Sequence, residues 1–144
     1  MKMANPYLNF KGTTEAAFEH YRRIFGGEFT AVLRYGDFPG NPMGAPEDKL
    51  DAIAHIGLPL GGDNVLMGTD VISAEHTGGF VAGNNFFIAL EADSEDEARR
   101  VHAALAEGGE VTMPLQSTEW AQLFGICVDA FGIQWMVSFT GDVG

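Results

Sequence analysis

The sequence is poor in cysteine, poor in positive charge and free of long apolar runs, and each shortage closes off a class of function. Its one cysteine, Cys127, cannot form an intrachain disulfide and fits a reducing compartment. It lies in the apolar run "FGICV", where a buried structural thiol is expected rather than a nucleophile. Eight Lys and Arg against twenty Asp and Glu leave a net charge of −12. Such a chain would be repelled by the phosphates of nucleic acid and by anionic membranes, so neither is expected as a partner. No apolar stretch approaches the ~20 residues of a membrane helix. The opening "MKMANPYLNF" has no signal-peptide core, and a cytoplasmic location is expected.

What is present is a repeat. "GGEFT" at 26–30 returns as "GGEVT" at 108–112, an offset of 82 residues. Leu8, Glu15, Ala16 and His20 recur at that offset as Leu90, Glu97, Ala98 and His102. A self-match at a fixed offset marks a repeated structural unit.

Each copy reads β-α-β-β-β. In the first, "NPYLNF" is an extended run. A helix follows within "GTTEAAFEHYRRIFGG", with Thr13 or Thr14 as cap and apolar residues at 17, 18, 21, 24 and 25. Gly26 and Gly27 stop it. "EFTAVLRY" is a strand, "GDFPGNPMGAPED" a long loop, and "LDAIAHIGL" and "NVLMGTD" are strands joined by the turn "PLGGD". In the second copy "NNFFIALEA" is a strand. The helix in "DSEDEARRVHAALAEGG" is capped by Asp93 or Ser94, and "EVTMPLQ", "EWAQLFGICV" and "IQWMVSF" are strands. The boundaries are module 1 at 1–70, a linker at 71–83 and module 2 at 84–144, within one domain. Neither helix could bury its apolar face alone. The class is therefore α+β: two βαβββ modules pairing into an eight-stranded curled sheet around a cavity, helices outside. The linker glycines leave room for the modules to pair between chains as well as within one, so a homodimer is expected, with module exchange left open.

Strand parity divides the candidate residues between the two faces. In "LDAIAHIGL", Ala52, Ala54, Ile56 and Leu58 suit the helix, and Asp51, Ile53, His55 and Gly57 face the cavity. In the fifth strand Phe86, Ile88 and Leu90 go to the helix, leaving Phe87, Ala89 and Glu91 inward. The repeat places Tyr7 and Asn9 with Ala89 and Glu91, and Gln134, Met136 and Ser138 point inward from the last strand. His55 and Glu91 are the candidates for acid–base work. Tyr7, Asn9, His55, Phe87, Glu91, Trp120, Gln134 and Met136 form the candidate ligand-binding set. His20 and His102 are expected on solvated helix flanks, His76 in the linker, and Arg34 facing water.

Three stretches, "PYLNFKGTTEAAFEHYRRIFGG", "AHIGLPLGGDNVLMGTD" and "GGEVTMPLQSTEWAQLFGICVDAFGIQW", resemble the PhnB-like branch of the vicinal oxygen chelate superfamily. That group includes glyoxalase I, bleomycin-resistance proteins and extradiol dioxygenases. The resemblance implies a divalent-metal site with histidine and glutamate ligands at positions that fall near Asn5, Leu66, Phe87 and Met136 here. None of these binds a hard or borderline ion, so no metal ligand and no cofactor is expected. The reading is a dimeric protein holding a small organic molecule in a metal-free cavity, a cationic or planar aromatic one suiting Phe87, Trp120 and Trp135. The alternatives are a metal-dependent lyase, isomerase or dioxygenase with replacement ligands such as His55 and Glu91, and a non-catalytic structural or regulatory dimer.

Overall fold

The computed structural model describes residues 1–73 and 79–143, which divide into two compact units, Met1–Val81 and Ala82–Gly144. His76 of the expected linker lies outside the described residues.

Unit 1 contains β1 (Tyr7–Phe10), α1 (Thr14–Phe25), β2 (Ala31–Arg34), β3 (Ile53–Gly61) and β4 (Asn64–Asp70). The sheet order is β1-β4-β3-β2, with β1 parallel to β4 and the other pairs antiparallel. Unit 2 repeats the plan with β5 (Ile88–Glu91), α2 (Glu95–Ala106), β6 (Glu110–Gln116), β7 (Leu123–Val128) and β8 (Gln134–Phe139), in the order β5-β8-β7-β6. The registers also agree. Met67 pairs with Tyr7 in β1, and Met136 pairs with Ala89, the residue 82 positions on from Tyr7.

One face of each sheet is sealed by its helix. Ala17, Phe18, Tyr21 and Ile24 of α1 are buried with Leu8, Phe10, Ile56, Leu58 and Leu66 of the sheet. A methyl group on Gly68 would stand 2.7 Å from the Phe18 ring, so glycine lets that ring lie against β4. In unit 2, Ala98, Val101 and Leu105 are buried with Cys127, Trp135 and Val137.

Buried carboxylates fix the corners. The expected Thr13/Thr14 cap is replaced, because the Thr13 side chain makes no capping bond. Instead Asp70, at the end of β4 and 4% exposed, accepts through Oδ1 from the Gly12 and Thr14 amides and the Thr14 hydroxyl. Its Oδ2 accepts from the Ile53 amide at 2.8 Å. A remote carboxylate thus caps α1 and ties it to two strands. In α2 the expected Ser94 cap holds, its hydroxyl accepting from the Glu97 amide at 3.0 Å. Asp129 accepts from the Phe131 and Ile133 amides and, through Oδ2, from the Trp135 indole N–H at 2.9 Å.

Several expectations need correction. Ile53 does not face away from the helix: it is 1% exposed in the core of unit 1. Leu33 pairs with His55 but Arg34 with Ile53, so Ala54 is an extra residue that resets the alternation. Leu66 is likewise buried on the helix side, one residue out of the expected register, and Met67 takes the other face. The fifth strand begins at Ile88, leaving Phe86 54% exposed and off the helix. His102 is not on a solvated flank but 7% exposed, its Nε2 3.3 Å from the Ile126 carbonyl, and His20 is half-buried. Arg34 lies at the surface as expected, where it makes a two-bonded pair with Glu15 and donates to the Asp51 carbonyl. Trp135 is fully buried and cannot meet a ligand.

Cys127 is fully buried, and burial, with Asp129 adding to it, pushes its thiol up to about 11. The native protein should therefore resist a thiol reagent such as dithionitrobenzoate at pH 8, reacting only after denaturation. Rapid labelling of folded protein would refute the buried, protonated thiol.

Candidate functional site

The sheet face that the helix leaves uncovered is where the candidate side chains emerge, because directly paired residues on neighbouring strands share a face. In unit 1, Tyr7 opposes Met67, which opposes Gly57. The next residues along are Asn9 opposite Thr69, and His55 opposite Leu33. The Tyr7 hydroxyl reaches across to within 2.9 Å of His55 Nδ1, with the rings 5.6 Å apart. A methyl group on Gly57 would stand 2.7 Å from the Thr30 hydroxyl, so glycine lets Thr30 lie against this part of the sheet. Burial, with Tyr35 adding to it, holds the Tyr7 phenol above its ordinary range, so it stays protonated at neutral pH. With a neutral ring, the phenol donates to Nδ1 and the ring proton sits on Nε2. Tyr7 is 44% exposed and Leu33 39%. The pair is therefore open to a ligand.

In unit 2 the corresponding face has different chemistry. Glu91, Ser138, Phe124 and Gln116 form one cross-strand row. Ala89, Met136, Ile126 and Met113 form the next. Thr140 holds the Glu91 carboxylate, its amide donating to one oxygen and its hydroxyl to the other, both at 2.9 Å. Trp120 stands over this face at the end of the first row. The Thr118 hydroxyl accepts from the Trp120 and Ala121 amides, a turn that presents the indole 58% exposed and edge-on to Phe124, centroids 5.4 Å apart. Phe87, 40% exposed, precedes β5, and the Gln134 side-chain amide donates to the Phe86 carbonyl at 2.6 Å.

The structure thus brings Tyr7 and His55 together, with Asn9 on the same face of unit 1. Phe87, Glu91, Trp120, Gln134 and Met136 belong to unit 2, so His55 and Glu91 lie in different units. Three partners were missed from sequence: Thr140 on Glu91, Leu33 opposite His55, and Met67 opposite Tyr7. The repeat could have found Met67, since β8 and β4 must pair alike.

The resemblance places metal ligands near Asn5, Leu66, Phe87 and Met136; Leu66 is buried on the helix side, and its neighbour Met67 takes the open face. The Asn5 side-chain oxygen already accepts from the Val65 amide at 3.1 Å. Two thioethers and a phenyl ring complete a donor set that does not fit a hard divalent ion. Among the described residues, no group of three or more His, Cys, Asp or Glu side chains could hold one.

The chain repeats one βαβββ unit with an open sheet face, and the glyoxalase/bleomycin resistance protein/dioxygenase superfamily matches its residues 5–137. The chain belongs to that superfamily. It is similar to protein PA1353 from Pseudomonas aeruginosa, at 38% identity and a TM-score of 0.83, covering 96% of this chain and 98% of that one. It is also similar to the PhnB protein from Bacillus cereus, at 26% identity and a TM-score of 0.70 over 96% and 99% of the two chains. Protein YjdN of Escherichia coli K12 is 28% identical over 141 residues, 93% of this chain and 92% of YjdN. No helix among the described residues is long and apolar enough to cross a membrane.

Proposed function

We propose that this PhnB-like chain is a metal-free binding protein that holds a small planar, cationic organic molecule on the open sheet faces and works as a cytoplasmic homodimer. The observation that carries this reading is the pairing of an exposed indole with a carboxylate on one face of unit 2. Glu91 and Phe124 flank Ser138 across adjacent strands, and Trp120 stands on Phe124. Strands lie about 4.8 Å apart, so Glu91 and Phe124 are separated by roughly two strand spacings, the width of a fused-ring cation. Such a cation gains from both the ring face and the negative charge. Thr140 uses one lone pair on each Glu91 oxygen, and each keeps another for the ligand. The net charge of −12 attracts cations at a distance. Four strands with one covered face per unit favour a second surface, from this chain or a second copy, over the other.

The metal-enzyme alternative is less well supported. Among the described residues, no group of three or more His, Cys, Asp or Glu side chains could hold an ion, so His55 and Glu91 would need further ligands.

The test is thermal stability with the planar cation proflavine. Binding to the native state must raise the melting temperature. Trp120→Ala and Glu91→Gln should each remove most of the rise, while protein incubated with Zn²⁺, Ni²⁺, Mn²⁺ or Fe²⁺ and desalted should retain no stoichiometric metal. An equal rise in both variants would overturn the site. Stoichiometric metal that disappears in His55→Ala would move the reading to a metal enzyme.

A further inference from the structure

We propose that unit 1 carries a second ligand site, a cleft for a small organic anion with an apolar body, which shares no residue with the open sheet face. The cleft has a volume of about 270 Å³ and lies where β1 and β4 end. Lys11 and Lys49 line it, with walls from Val71, Ile72 and Phe80 and Asp70 at its base.

The distribution of charge makes this cleft unusual. The whole chain has three lysines, and two of them meet here. Three of its five arginines are engaged elsewhere: Arg22 with Glu19 and Glu28, Arg34 with Glu15, Arg99 with Glu95. Neither cleft lysine forms an ion pair among the described residues, and none of these four pairs involves a lysine. The one carboxylate in the lining does not neutralise them by contact. Asp70 is 4% exposed, and both its oxygens are occupied by donors from Gly12, Thr14 and Ile53. Two lysines on flexible stems therefore line a space whose remaining walls are largely apolar, with their ammonium groups within reach of an anion there. Lysine binds an anion as a point charge without demanding a fixed geometry. A cavity of roughly 150 Å³ holds one benzene ring, so this one has room for a bicyclic body with its anionic group at the lysines. The expected class is an aromatic carboxylate or a similar organic anion.

The experiment is titration of the full chain with 1-naphthoate, followed by naphthalene fluorescence at low salt. Binding should weaken roughly tenfold in Lys11→Gln and in Lys49→Gln, the size expected for one charged hydrogen bond, and stay unchanged in Lys2→Gln. The uncharged 1-naphthalenemethanol should bind far more weakly, and added NaCl should weaken the naphthoate complex. Trp120→Ala should bind naphthoate as the parent does, so the result stands or falls apart from that with proflavine. No naphthoate binding up to several millimolar, undiminished binding in the double lysine variant, or equal binding of the alcohol would each overturn the site.

Discussion

Asp70→Ala should lower the free energy of unfolding by about 3–5 kcal/mol, the range for stranding several buried donors at once. The substitution leaves the Gly12, Thr14 and Ile53 amides and the Thr14 hydroxyl without their shared acceptor. Gly12 lies nearest to solvent and recovers part of its loss from water, which keeps the total below the sum of four separate losses. Asp70→Asn provides the finer measurement. With the amide oxygen at the Oδ1 position, three of the four bonds survive, and only the Ile53 amide meets an opposing N–H. The asparagine variant should therefore lose roughly half as much as the alanine one. Urea denaturation of both variants checks the order. A loss below about 1 kcal/mol for Asp70→Ala would show that the carboxylate is not what joins α1 to the sheet.

Trp135→Ala should be comparably damaging, about 3–5 kcal/mol, because a fully buried indole leaves a large void when truncated. The hydrogen bond to Asp129 adds a second cost, since Oδ2 then lies buried without the indole N–H. Trp135→Phe refills much of the space but not the bond, and should fall between the parent and the alanine variant. The chain has two tryptophans, and the other, Trp120, is 58% exposed. Trp135→Phe should accordingly move the native emission to the red, while Trp120→Phe should leave a blue-shifted emission from the sealed indole. Equal spectra for the two variants would contradict the burial assigned to them.

These residues show how far the sequence alone could be read. The two βαβββ units, both helices and the stop of the first at Gly26 follow from periodicity and from the 82-residue repeat. Alternation also placed Tyr7, Asn9, His55, Glu91 and Met136 on the uncovered faces. It failed at Ile53, because a single extra residue in β3 carries no compositional mark yet flips everything before it. It failed at His102 for a different reason. A histidine among charged helix neighbours looks solvated, but here the ring packs over Gly125, where an added methyl group would stand 3.0 Å from Nε2. The Tyr7–His55 bridge and the Thr140 clamp on Glu91 join residues about fifty positions apart. No local pattern announces such a pair.

The matched registers of β1–β4 and β5–β8 make the two modules one frame used twice. They hold in common a leucine on the first strand, a helix histidine and the double-glycine corner. At the paired surface positions they have parted. Where one module holds a tyrosine and an asparagine, the other holds an alanine and a glutamate. Like frames therefore carry unlike surfaces, and the positions that differ include the side chains from which a ligand would tell one face from the other.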